Sequence, residues 1–339
     1  MKKTLVAIAA LTAVSAFAQS SVTLSGTVDP SIANSNTTYG NGTQVSNSFM
    51  RNNSQGTTQI TFTGVEDLGG GLKATFRFEA DLSAATAIGP NNAVGDGGGD
   101  IFAGLQGGWG AVKLGTPNMP SLSVQAARNF MGTKIGSGFG GVSGTGKVRE
   151  NGSLRYDTPN LGGFSAAVYY TFGTSATPAV NVAPVAPALT GVAIANSNAK
   201  SDIGLFYNNG PISAGLSFYN QADVNAQVNL AASYDLGVAK IYIGAHTEDK
   251  KALGNSKGYN IAGDFNVSPS LVVYANFGVL DDESAANADK RIAALGAKYS
   301  LSKRTSVYTR YVAEANDNVN TAAGIRDVKT FLAGVQHNF

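Results

Sequence analysis

VKTFLAGVQHNF, residues 328–339, ends the chain. Counted back from the end, Phe339, His337, Val335, Ala333 and Phe331 are apolar apart from the histidine. Asn338, Gln336, Gly334, Leu332 and Thr330, the alternate set, are mostly small or polar. A period of two describes a strand with unlike faces. Soluble chains usually end in polar, frayed residues. A terminal aromatic ring suits a strand that closes a barrel and rests at a membrane interface. An ordinary edge strand would alternate in the same way, so the rest of the chain decides.

The N-terminus gives an address. Lys2 and Lys3 precede an apolar run over residues 5–17, followed by Ala16-Phe17-Ala18. This is the pattern of a secretory signal peptide with an A-x-A cleavage site, too short for a spanning helix of about 20 residues. The reading is a cleaved signal peptide over residues 1–18 and a transmembrane barrel domain over 19–339. Losing Lys2 and Lys3 takes the net charge from +2 to zero, with 22 basic residues left against 22 acidic. That balance carries no nucleic-acid signature. The chain has no cysteine, which excludes a thiol nucleophile, a thiolate metal site and a disulfide-stapled domain.

Glycine is abundant, at 42 of 339 residues, and charged residues are only 14%, against about 25% in soluble domains. No stretch after residue 18 is apolar enough to span as a helix. Transmembrane β-barrels combine these features, because only alternate residues face lipid.

Sixteen strands are predicted, over 21–32, 57–65, 72–82, 100–106, 111–116, 151–157, 164–172, 201–207, 212–219, 225–234, 238–247, 257–267, 271–280, 289–301, 305–314 and 328–339. The third separates its faces best. Leu72, Ala74, Phe76, Phe78 and Ala80 alternate with Lys73, Thr75, Arg77, Glu79 and Asp81. Seven short turns and eight longer loops connect the strands, and the even count puts both termini on one side. Residues 33–56, rich in Asn, Ser, Thr and Gly, read as a long loop. Pro30 cannot donate to a ladder and marks a bulge or the strand's outer end. The lone Trp109 sits at a turn, which suits an interfacial ring. The loop 117–150 stands apart: it has seven glycines between Gly132 and Gly146, and Arg128, Lys134, Lys147 and Arg149 against Glu150 alone.

Five segments carry a family resemblance: SSVTLSGTVD (20–29), GVEDLGGGLKA (64–74), SLRYDTPN (153–160), LSKRT (301–305) and AGVQHNF (333–339). In this order and spacing the mature chain resembles a Gram-negative general porin of the beta-proteobacterial type. The resemblance implies an all-β, sixteen-stranded antiparallel transmembrane barrel in the outer membrane, with short periplasmic turns and long external loops. It implies a homotrimer whose third loop, here 117–150, folds inward to narrow the pore. It also implies anion preference from wall arginines. This chain departs from that pattern with Gln59, Thr63, Thr116 and Gln336, which thins the arginine wall, while the basic third loop pushes the other way.

The expected function is passive diffusion of ions and small hydrophilic solutes, with weak anion preference, no cofactor and no metal. The candidate constriction comprises Arg77, Arg128, Lys134, Lys147, Arg149 and Arg155, with Glu79, Asp81 and Glu150 as counter-charges. Such lumenal charges act on permeant ions through the local field. Phe339 is the candidate C-terminal signal for the outer-membrane barrel assembly machinery, and outer-membrane lipid is the surrounding partner. His246, at a strand end, reads as a rim histidine in water, with a metal or acid–base role as the sharper alternative. His337 needs only an interfacial role. Asp281-Asp282-Glu283 could hold Ca²⁺ or be a solvated acidic loop. No glycine run has the context of a phosphate loop, and Gly136-Ser137-Gly138 lacks the following helix of a nucleophile elbow. The rival readings are an outer-membrane barrel lipid hydrolase, which needs a Ser–His pair, and a secreted β-rich adhesin.

Overall fold

The computed structural model describes residues 21–82, 99–139, 148–172, 199–222, 224–251, 254–283, 289–317 and 324–339. The signal-peptide reading and Lys147 lie outside these residues.

Alternation over most of the chain becomes strand. The segments are β1 (Ser21–Val28), β2 (Pro30–Tyr39), β3 (Gln44–Asn52), β4 (Gln59–Gly69), β5 (Leu72–Asp81), β6 (Ile101–Gly107), β7 (Gly110–Thr116), β8 (Ser153–Asp157) and β9 (Phe164–Thr171). They continue as β10 (Lys200–Asn209), β11 (Ile212–Gln221), β12 (Asn225–Asp235), β13 (Ala239–Asp249), β14 (Asn255–Asn266), β15 (Leu271–Asp282), β16 (Lys290–Ser300), β17 (Thr305–Asn316) and β18 (Ile325–Asn338). Among the described residues one helix, α1 (Pro120–Ala126), follows β7.

The eighteen segments make one sheet, but they cross the barrel as sixteen antiparallel strands. β1 and β2 are halves of one strand broken at Asp29, and β3 and β4 are halves of another broken by residues 53–58. β1 pairs with β4 from Ser21↔Val65 to Thr27↔Gln59, and β2 pairs with β3 from Pro30↔Asn52 to Thr38↔Gln44. β18 runs beside both halves of the first strand, through Ser31↔Gly334 and Val28↔His337. The last residue completes the ladder. The Gly26 amide donates to the Phe339 carbonyl at 3.1 Å, and the Phe339 amide donates back at 3.0 Å. Closure leaves no open sheet edge among the described strands, which is what a bilayer requires of a β-structure.

Two expectations change. Residues 33–56 are not one long loop: β2 and β3 form a hairpin around residues 40–43. Both faces of β3 mix polar and apolar residues, with Val45 and Phe49 on one and Met50 on the other, so the clean alternation that marks a strand embedded on one side is missing, although the backbone pairing is intact. Of the two roles expected for Pro30, a bulge or the strand's outer end, the second is excluded, because β2 runs from Pro30 to Tyr39 beyond the interruption at Asp29.

The two sheet faces invert the order of a soluble protein. Outward residues such as Phe76, Phe78, Ile243, Ile261, Phe277 and Phe331 are exposed, and Leu295 is 63% exposed. An apolar belt this continuous is a lipid-facing surface. The buried residues lie inside. Met131 packs with Tyr274, Ile292, Ala294 and Val312, and Met119 packs with Tyr169 and Tyr219. Both methionines belong to the connection after β7, so the core of this molecule is a loop pressed against the inner wall.

Candidate functional site

The inward loop begins at Asn118 and passes through α1. Pro120 opens the helix, where its missing N–H costs nothing, and the wall supplies the cap. The buried Asp202 carboxylate of β10 accepts from the Ser121 amide at 2.7 Å and from its hydroxyl at 2.8 Å. Gln125 then donates to Gln227 of β12 at 3.0 Å. The Arg128 guanidinium donates to Asn229 Oδ1 at 2.8 Å and to the Ala245 carbonyl at 3.2 Å. Asn260 of β14 donates to the Arg128 carbonyl at 3.0 Å, and Asn276 of β15 to the Gly136 carbonyl at 2.9 Å. Arg310 of β17 reaches the Ile135 carbonyl at 2.6 Å. Lys134 contacts Thr57, in the break between β3 and β4. The loop is thus fastened from β10 round to β17. Strand period two explains the spacing, since Asp202, Gln227, Asn229, Asn260, Asn276 and Arg310 all occupy inward positions.

The other side of the lumen carries a ladder of charge. Glu79 bonds Arg77 and accepts from Gln59 at 2.9 Å. Arg77 lies 3.4 Å from Asp100, whose Oδ1 accepts from the Asn118 amide at 3.2 Å. Arg149 lies 3.9 Å from Asp81 and donates to Asn118 Oδ1 at 3.0 Å. Arg155 donates to Asp157 at 2.6 Å and to the Asn118 carbonyl at 2.6 Å, while Lys113 holds the second Asp157 oxygen at 2.9 Å. Lys200 pairs with Glu150. Asn118 is the hub: its amide, carbonyl and side chain each take a charged partner, fixing where the loop leaves the wall.

Of the predicted site residues, Arg77, Glu79, Asp81, Arg149, Glu150 and Arg155 converge on this ladder. Lys134 approaches it from the far arm of the loop, and burial lowers its pKa below a lysine's ordinary value, against the pull of Asp81 and Asp29. Arg128 is placed differently. It is 2% exposed, its pKa is pulled down to about 10 by burial, and it tethers the loop instead of lining open space. Its basic character in a glycine-rich loop gave no sign of which way it points.

His246 also departs from expectation. It is an inward, buried residue of β13, not a rim residue in water, and neither ring nitrogen has a hydrogen-bond partner. No Ser–His pair forms there. Asp282 lies 3.5 Å from Lys250, and Glu283 pairs with Lys257, so the acidic run faces lysines. The exposed His337 shares a 2.9 Å hydrogen bond with Thr305.

Sequence reasoning missed Lys113, Asp100, Asp157 and Lys200 of the ladder, and Asp202 and Arg310 of the loop anchors. A signal existed for Arg310: it shares the even-numbered face of β17 with Ser306, Tyr308 and Glu314, the polar side of an otherwise apolar alternation.

A family model described as Gram-negative porin matches residues 4–319. The outer membrane porin protein 32 of Delftia acidovorans is 30% identical over 99% of this chain and 95% of its own length. The chain belongs to the Gram-negative porin family. The major outer membrane protein P.IB of Neisseria meningitidis serogroup B is 29% identical over the full length of both chains. Among solved structures, an anion-selective porin from Comamonas acidovorans superposes with a TM-score of 0.75, at 24% identity, covering 95% of this chain and all of that one. This porin is therefore an outer-membrane channel for small solutes, not an enzyme. The inward loop and the charged ladder occupy its lumen.

Proposed function

We propose that the charge ladder and the facing arm of the inward loop are the constriction of this channel, and that they confer a weak preference for anions. The observation that carries this reading is the balance of charge around Asn118. Among the described residues, Arg77, Lys113, Lys134, Arg149, Arg155 and Lys200 face Glu79, Asp81, Asp100, Glu150 and Asp157, six cations against five anions. Nearly every charge is paired, so the residual field is small and positive. The single excess charge replaces the arginine wall thinned at Gln59, Thr63, Thr116 and Gln336. The anion selectivity named for the Comamonas acidovorans porin agrees in sign. Paired rows of opposite charge also orient water across the opening, which favours polar solutes over apolar ones. Reversal potential in a planar bilayer under a KCl gradient tests the reading. A cation-favouring potential would refute it.

The remaining assignments belong to the same reading. Residues 1–18 direct export and are removed, and residues 19–339 form the barrel, which works as a homotrimer in outer-membrane lipid. Phe339 is the segment's signal to the barrel assembly machinery. Stepwise conductance in threes, and a mature N-terminus at Gln19, are the outcomes expected.

A further inference from the structure

We propose that a cavity between the tip of the inward loop and the wall formed by β2, β3 and β16 to β18 is a binding site for an α-amino acid that carries a second carboxylate. The site stands apart from the charge ladder. It rests on the chain being an outer-membrane channel for small solutes, not on the ladder's selectivity.

Strand register brings its charges together. Glu314 and Asn316 of β17 pair with Ile292 and Lys290 of β16. Glu314 and Lys290 are therefore diagonal neighbours on one face, within reach of long side chains. That face points inward, since Ile292 and Val312 on it are buried. Arg51 of β3 faces the same way, because its register partner Ser31 is buried. The three side chains line one cavity of about 450 Å³, within the roughly 300–1,000 Å³ of small-molecule sites. The inward loop supplies the facing wall, from Thr133 to Phe139. Gly136 sets how closely that wall approaches. It has a φ of 88°, and a Cβ there would lie 2.8 Å from Ala294. The loop seals against β16 at this point. The space that remains lies beside Lys290 and Asn316, toward the long-loop ends of β16 and β17.

The charges around this space are not paired with one another. Among the described residues, Arg51, Lys290 and Glu314 make no salt bridge and no side-chain hydrogen bond, although Glu314 is within electrostatic reach of both cations. Arg51 Nε is buried without a partner. Nearby charges are already engaged: Arg291 holds both oxygens of Asp317, at 2.8 and 2.7 Å, and Lys134 contacts Thr57. Two cations and one carboxylate held around a cavity match a ligand with the opposite arrangement. Two ligand carboxylates would meet Arg51 and Lys290, and an ammonium would meet Glu314, leaving no net charge. A simple dicarboxylate would leave Glu314 facing anions. A simple cation would leave both bases unpaired. The Ser35 and Thr330 hydroxyls, 3.0 Å apart, add neutral partners, and Ile292 and Phe139 cover the ligand's aliphatic stem.

L-Glutamate is the probe, titrated calorimetrically into the folded porin in nonionic detergent. Glutarate, which lacks the ammonium, is the comparison. Saturable binding of L-glutamate, about tenfold tighter than glutarate, is the expected result. Arg51→Gln weakens both ligands, whereas Glu314→Gln removes the preference for L-glutamate. Should Arg51→Gln fail to give a heat-modifiable barrel, Lys290→Gln, at a strand end, replaces it with the same expectation. Equal affinity for the two ligands, or no saturable binding of L-glutamate, overturns the proposal. So does an unchanged affinity for L-glutamate in either variant when the barrel has native heat-modifiability. If L-glutamate binds as expected while the reversal potential favours cations, the constriction reading fails and this site stands.

Discussion

Arg149→Gln removes one positive charge from a ladder in which, among the described residues, six cations face five anions. Arg149 lies 3.9 Å from Asp81 and is held by Asn118, so glutamine keeps a hydrogen-bond donor for Asn118 while the charge disappears. For an ion passing roughly 6 Å away, a unit charge contributes about 0.7 kcal/mol at the dielectric of water. The charge attracts chloride and repels potassium, so the unscreened change in their permeability ratio is about 1.4 kcal/mol, or tenfold. Screening reduces it. With a Debye length of about 10 Å at 0.1 M salt roughly half survives, a threefold fall in chloride over potassium. At 1 M, where the length is about 3 Å, less than about 1.5-fold remains. Reversal potentials measured at the two salt levels test both size and screening. An unchanged ratio at low salt, or a change that does not shrink at high salt, would refute the electrostatic argument.

Other outcomes follow from the same geometry. Burial lowers the pKa of Lys134, so its charge is lost as pH rises at values below a lysine's usual range. Anion preference should fall there, and Lys134→Gln should abolish that pH dependence of the reversal potential. Gly26→Val would put a Cβ 2.3 Å from the Phe339 ring and 2.7 Å from the Gln59 carbonyl. The terminal ring must move, and a smaller fraction of chain should reach the heat-modifiable form on gels. A variant that folds as well as the parent would show that the seam does not need the ring. Met131→Ala empties a buried site between the loop and Tyr274, Ile292 and Val312. It should cost about 2–5 kcal/mol in denaturant unfolding. A loss under about 1 kcal/mol would mean that the loop collapses into the gap.

Much of the barrel was legible because lipid on one side and water on the other force a period of two. β5 shows it best, with phenylalanines outward and Arg77, Glu79 and Asp81 inward. Where that contrast vanishes the reading failed. β2 and β3 pair through their backbones while neither face is cleanly apolar or polar, and their Asn, Ser and Thr content resembles a loop. The ladder was half legible for a related reason. Arg77 and Arg155 lie on strands whose faces can be assigned, and these were found. Arg128 lies in a loop without periodicity, and nothing local says that it turns to Asn229 instead of to the opening.

The sequence by itself determined the class of structure: sixteen amphipathic strands, an apolar exterior and a basic, glycine-rich third connection. These follow from local pattern, since alternation is written residue by residue. Only the tertiary structure decided which charges meet. Arg77 faces Asp100, Lys200 faces Glu150, and Arg310 gathers Ser54, Gln55 and Ile135 from two distant stretches. Those partners are set by barrel closure and by the path of two inward segments. Both depend on pairing between residues far apart in the chain, which no local period encodes.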